Sequence, residues 1–182
     1  YATTDIGKQG IVCILGTGSN CSYYDGHQPF QKVTSLGYIL MDDASGNYFG
    51  RKLLRDLYFH KIPQDLAIKF TKEYPLEADI IKDHLYKQPN PNTYLATFAR
   101  FLIENKDHRY CRGVINKGLQ QFVNNYIMQF ELATKVPCHF VGSIAYYLKD
   151  ELEAVLNNND LVMGKVLRKP IDGLVEFHRK TM

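Results

Sequence analysis

The run Gly10-Ile-Val-Cys-Ile-Leu-Gly-Thr-Gly-Ser-Asn20 carries a continuous apolar segment straight into Gly16-Thr17-Gly18-Ser19. A buried strand that ends in this way delivers a tight, backbone-rich turn at its carboxyl end. Such a turn suits phosphate, because glycines let the main chain approach closely and its N–H groups serve as donors, with a hydroxyl from Thr17 or Ser19 in support. A glycine-bearing hairpin turn without a ligand fits the same residues, and the stretch alone leaves both readings open.

The residues that follow narrow the choice. Cys21-Ser-Tyr-Tyr-Asp25-Gly26 and Pro29-Phe-Gln-Lys-Val33 alternate around an Asp-Gly turn, which predicts a hairpin and hence three consecutive strands at the start of the chain. A dinucleotide-binding fingerprint needs a third glycine and a following helix. Here Cys21 occupies that position and a strand follows. No GxxxxGK[ST] pattern is present either.

Gly37-Tyr-Ile-Leu-Met-Asp42-Asp43-Ala-Ser45-Gly46 empties a short apolar stretch into an acidic loop. Phe49, Leu53, Leu54 and Leu57 then follow a helical period, with Ser45 or Asp43 as the cap. Capping and the helix dipole account for two carboxylates at this place. The functional alternative is that one of them accepts hydrogen bonds from a polyhydroxyl substrate or helps to organise magnesium.

Interrupted helical patterns fill Asp65 to Tyr74, Leu76 to Lys87 and Thr93 to Glu104, with Leu95, Phe98, Ala99 and Leu102 as core positions. One long helix is expected from about His108 to Thr134, containing Gly113 and Gly118. Val136-Pro-Cys-His-Phe-Val141-Gly142-Ser143 then repeats the opening pattern of strand, glycine turn and hydroxyl. The helix after it carries Ile144, Leu148, Leu152 and Leu156, with Ser143 as its expected N-cap. A last strand spans Leu161 to Leu167, and a last helix starts at Pro170 and carries Asp172, Leu174, Val175 and Phe177. Turns at the carboxyl ends of sheet strands are where open α/β sheets bind ligands.

With 182 residues, 45% hydrophobic and 23% charged, the chain has the composition of one globular domain with a sizeable core. The net charge of +3 is scattered, which gives no argument for a nucleic-acid partner, and no apolar run is long enough to span a membrane. Cys13, Cys21, Cys111 and Cys138 form no CxxC pair and read as buried residues of a reducing, cytoplasmic compartment. The six histidines are dispersed, so neither a metal site nor a catalytic histidine is assigned. The chain begins at Tyr1 without an initiator methionine, and a piece of a longer protein is expected.

The element order is three strands, helix, helical insertion, helix, strand, helix, strand, helix. Together with the two glycine turns, it resembles the second domain of the sugar kinase, heat-shock 70 and actin superfamily. That resemblance implies an α/β, ribonuclease H-like (actin-like ATPase) domain over 1–182, a mixed sheet with three N-terminal antiparallel strands and a helical insertion at about 61–106. Within the superfamily the chain is most similar to the N-acetylglucosamine kinase group, which shares a sequence family with the BadF/BadG-type ATPases. Ile14-Leu-Gly-Thr-Gly-Ser-Asn-Cys21, Gly37-Tyr-Ile-Leu-Met-Asp-Asp-Ala-Ser-Gly46 and Phe140-Val-Gly-Ser143 carry the resemblance.

The resemblance implies that Gly16, Thr17 and Gly18 form a phosphate loop for ATP, that Ser19 and Asn20 line the sugar and its N-acyl group, and that Gly37 approaches the sugar. Asp42, with Asp43 beside it, would bind sugar hydroxyls. Gly142 and Ser143 would form the adenosine turn, with Ala96 adding to the nucleotide pocket. ATP with Mg2+ and an amino sugar are the implied ligands, and a homodimer stays open. The general base and a first phosphate loop are expected in an N-terminal domain upstream of Tyr1, Asp5 being too close to the strand to serve as that base. Two departures concern the sugar side. The family commonly has Gly-Asp-Glu-Gly-Ser where this chain has Met41-Asp42-Asp43-Ala44-Ser45, and Leu36 replaces a tryptophan frequent before the sugar-facing glycine. An activator ATPase of a radical dehydratase and a non-catalytic sugar or nucleotide sensor are the competing readings.

Overall fold

In the computed structural model, which describes residues 2–4 and 7–181, the apolar run before the glycine turn forms β1 (Gly10–Leu15). Alternation across the pleat sends Ile11, Cys13 and Leu15 into the core while Ile14 is half exposed. β2 (Ser19–Tyr24) returns antiparallel with Cys13 opposite Cys21 and Ile14 opposite Asn20. β3 is only Pro29–Phe30, shorter than the expected run to Val33. β4 (Cys138–Val141) and β5 (Met163–Leu167) add in parallel, which gives a mixed sheet of order β3-β2-β1-β4-β5. The two strands that end in glycine turns, β1 and β4, are therefore neighbours with their carboxyl ends on the same side.

α1 (Gly46–Tyr58) starts where the acidic loop ends. Of the two candidate caps, Ser45 fills the role: its Oγ accepts the Tyr48 N–H at 3.2 Å. Phe49, Leu53 and Leu54 bury the expected face. Replacing Ser45 by alanine is expected to lower stability by about 1 kcal/mol, read as a shift in the urea midpoint.

α2 (Gln64–Glu73), α3 (Ala78–Tyr86), α4 (Pro91–Thr97) and α5 (Ala99–Glu104) fill the interrupted helical region. Leu95, Phe98, Ala99 and Leu102 are buried there. A Cβ at Gly50 would stand only 2.6 Å from the Leu95 carbonyl carbon. The glycine thus lets α4 lie directly against α1.

α6 (Arg109–Asn125) is shorter than expected. The helical periodicity continues to Phe130, but the helix stops before Tyr126 and a short 3-10 turn, Ile127–Gln129, follows. Two consecutive asparagines, Asn124 and Asn125, are weak helix formers. Tyr126 leaves the helix at φ −120°, ψ −55° and is buried, with its hydroxyl accepting the Asp42 N–H at 3.3 Å. Of the two glycines in α6, Gly118 packs against the rings of Tyr48 and Phe49, whereas Gly113 faces open space.

The helix expected after β4 is divided at Leu148 into α7 (Ser143–Tyr147) and α8 (Lys149–Asn157), with Ile144, Leu148, Leu152 and Leu156 all buried. Gly142, not Ser143, is the capping residue, and Ser143 opens α7 without a side-chain cap bond. α9 (Pro170–Thr181) begins at Pro170. Asp5 and the side chains of Asp172 and Phe177 lie outside the described residues.

Candidate functional site

The glycine turn is held from both sides by backbone hydrogen bonds. Within it, the Gly16 N–H donates to the Gly18 carbonyl at 3.0 Å. From outside, the first N–H groups of α1 reach in: Gly46 donates to the Gly16 carbonyl at 2.7 Å and Asn47 to the Thr17 carbonyl at 3.1 Å. The Asn47 side-chain amide donates to the same Thr17 carbonyl at 2.7 Å. The turn is thus a rigid extension of α1, and Thr17 remains exposed.

The second glycine turn abuts the first. Gly142 sits at φ +128°, and a Cβ there would lie 2.6 Å from the Leu15 carbonyl carbon and 3.0 Å from the Gly16 nitrogen. Any side chain would push β4 away from the end of β1, so this position requires glycine for both conformation and space.

Asp42 is joined to the same cluster. Its φ of +70° and the φ of +56° at Ala44 bend the acidic loop back over the turn. Asp42 Oδ2 accepts from Asn47 Nδ2 at 2.9 Å, and the side chain is mostly buried. A Cβ at Gly18 would fall 2.7 Å from that oxygen, so the missing side chain makes room for the carboxylate. Asn47 therefore clamps Thr17 and Asp42 together, while its own Oδ1 is buried without a hydrogen-bond partner.

The other sugar-side candidates are spread around this cluster. Ser19 is buried, and its Oγ lies by the Tyr126 hydroxyl without completing a well-formed hydrogen bond. Burial is the main reason that the Tyr126 phenol titrates above its ordinary value, so it stays protonated. Asn20 Oδ1 accepts from Gln31 Nε2 at 2.6 Å and from the Cys21 N–H at 2.7 Å. Asp43 turns outward, where its Oδ2 accepts from Asn125 Nδ2 at 2.7 Å. Gly37 stands in an exposed turn at φ +82°, and its carbonyl accepts the Met41 N–H at 2.9 Å. Asp42 and Gly18 are thus in contact, whereas Asp43 and Gly37 are not drawn into that cluster.

Beside the glycine turns a cavity of about 560 Å3 opens between α4, α5 and α7, and both Ala96 and Ser143 line it. A Cβ at Gly46 would stand 3.0 Å from the Ala96 Cβ, so the cavity begins where the turn ends. Ile103, Ile144 and Tyr147 give it apolar walls; Arg100, ion-paired with Glu104 at 2.7 Å, gives it a charged rim. An apolar slot beside a backbone-lined turn has the chemistry to hold a flat heterocycle with phosphates leading away from it.

Sequence reasoning missed Asn47 and Tyr126. Asn47 had a readable signal, a side-chain amide in the first turn of a helix that follows an acidic loop. Tyr126 had none, because its partner Asp42 lies 84 positions away in the chain.

Comparison with solved structures adds the family context. A provisionally assigned N-acetylglucosamine kinase from Porphyromonas gingivalis superposes with a TM-score of 0.90 at 33% identity, over 96% of this chain and 61% of that chain. The resemblance to the N-acetylglucosamine kinase group holds. A protein of the same provisional assignment from Chromobacterium violaceum shares the fold, with a TM-score of 0.65 at 17% identity, over 92% of this chain and 58% of that one. The chain therefore spans about three fifths of the length of either protein. No protein-family model and no curated protein matches it.

Proposed function

We propose that this chain is the C-terminal, actin-like ATPase domain of an ATP-dependent amino-sugar kinase, which passes the γ-phosphoryl group of ATP to a hydroxyl of an N-acetylglucosamine-like sugar. The observation that carries the reading is the clamp made by Asn47. It ties the turn suited to phosphate, through Thr17, to the carboxylate suited to sugar hydroxyls, Asp42, beside a cavity of nucleoside size. The similarity to the Porphyromonas protein supports it.

In this reading Gly16, Thr17 and Gly18 form the phosphate turn: the Gly16 N–H is held by the Gly18 carbonyl, and the Thr17 and Gly18 N–H groups with the Thr17 hydroxyl receive the ATP phosphates. Gly142 leaves space for the nucleoside, with Ala96 and Ser143 on its walls. Ser19, Asn20, Gly37 and Asp42 bind the sugar, and Asp43, engaged by Asn125, reaches it only through water. Magnesium, when bound with ATP, supplies charge neutralisation on the β- and γ-phosphates. The general base and the first phosphate loop are assigned to an N-terminal domain preceding this chain, and closure of the two domains would complete the site.

The activator-ATPase reading needs thiolates that reach a partner's cluster. All four cysteines are buried; burial pushes the Cys138 thiol up to about 12, the Cys111 thiol up to about 11 and the Cys13 thiol well above its ordinary value. Such thiols are inert.

A coupled assay of ADP release by the full-length protein tests the proposal. ADP release that depends on N-acetylglucosamine is the expected result. Binding of sugar and ATP without turnover would establish a sensor instead.

A further inference from the structure

Away from the glycine turns, a groove of about 490 Å3 runs between α1 and the first turns of α6. We propose that this groove is a second ligand site, one that takes a small phosphate-bearing anion, either inorganic phosphate or a phosphate monoester.

Three cationic side chains, Lys52, Arg109 and Lys117, line the groove against one carboxylate, Asp56. Asp56 is already spent. It is buried, both of its oxygens lie 2.7 Å from Lys52 Nζ, and Oδ2 also accepts from the Tyr110 hydroxyl at 2.8 Å. Its charge is thus matched by Lys52. Arg109 and Lys117 have no acidic partner among the described residues.

Both of these charges stand along the groove, two turns and about 12 Å apart on α6. Arg109, Gly113 and Lys117 recur at four-residue spacing and so share a helix face. Nothing lies within 4 Å of where a Gly113 side chain would begin, so the floor between the two cations is open. Arg109 is also the first residue of α6, where the helix dipole favours negative charge. His108 closes the rim: its Nδ1 accepts the Tyr110 N–H at 3.1 Å, and its Nε2 lies 3.4 Å from the exposed Asp65 carboxylate. The volume exceeds what a bare phosphate fills, and the Tyr48 side chain on the opposite wall offers a surface for an attached body.

This inference rests on the groove alone and stands apart from the kinase assay. The test is a titration of the nitrogen-15-labelled chain with inorganic phosphate and then glycerol phosphate, followed by NMR. A saturable shift is expected at the amides of Arg109, Tyr110, Gly113 and Lys117. In the double variant R109Q/K117Q, whose replaced side chains are exposed, half-saturation at the α6 amides should require at least about tenfold more ligand. The amides of Gly16, Thr17 and Gly18 should respond as in the parent chain. No saturable shift in α6, or an unchanged titration there in the double variant, would overturn the proposal. A monoester that saturates at lower concentration than inorganic phosphate would identify the attached body as part of the recognised ligand, and the reverse order would assign the site to free phosphate.

Discussion

Replacing Gly50 by alanine is expected to lower folding stability by about 3 kcal/mol or more. Two effects oppose each other. Alanine is the better helix former by about 1 kcal/mol, which alone would stabilise α1. Against this, the new methyl group would fall inside contact distance of the Leu95 carbonyl, with the carbonyl carbon at 2.6 Å. The obstacle is backbone within α4, so no side-chain rotation relieves it and the two helices must separate. The packing term therefore wins. Gly113→Ala in α6 is the matched control, because nothing lies within 4 Å of its added methyl group. It should gain up to about 1 kcal/mol. Urea midpoints of the two variants, moving in opposite directions, check both statements. An unchanged or raised midpoint for G50A would mean that α1 and α4 are not packed as described. Separation of these helices would also move Ala96 away from Gly46, so the cavity beside the glycine turns depends on a glycine remote from it in function.

Much of this arrangement was legible in the sequence because it is local. The apolar run into Gly16, the Asp-Gly hairpin and the 3.6-residue period of α1 each depend on neighbours within a few residues, and all three elements form. Errors came where a distant partner decides the local structure. Periodicity alone carried α6 on to Thr134, but the backbone turns at Tyr126, whose hydroxyl meets the acidic loop. Likewise Ser143 has the residue type of an N-cap. Gly142 takes that place because β1 ends against it, and only glycine fits there. In the site, glycines and carboxylates could be singled out by type, while the clamp that joins them could not. Asn47 acquires its role from Thr17, 30 positions away in the chain, a relation visible only once the sheet brings Thr17 beneath the start of α1.

Asp42 is where the kinase reading has its largest expected effect. In the full-length protein, Asp42→Asn should lower kcat/KM for the sugar by about a hundredfold, while the KM for ATP changes little. The substitution is chosen to keep the loop. Asparagine tolerates the left-handed conformation that Asp42 adopts at φ +70°, and its side-chain oxygen can still accept from Asn47 Nδ2. What it removes is the negative charge and one acceptor, so two hydroxyl donors of the sugar would lose a charged partner. Hydrogen bonds to a charged group contribute about 1.5–3 kcal/mol against about 1 for neutral ones, which is the source of the hundredfold figure. Asn47→Ala should lower activity through a different path, by releasing both Thr17 and Asp42 from one amide. Because Asn47 acts on the sugar partly by holding the Asp42 carboxylate, its loss costs less once that charge is gone, and the double variant should lose less activity than the product of the two single losses. Additive losses in that cycle would mean that Asn47 does not hold Asp42 for the sugar, even if each residue matters separately.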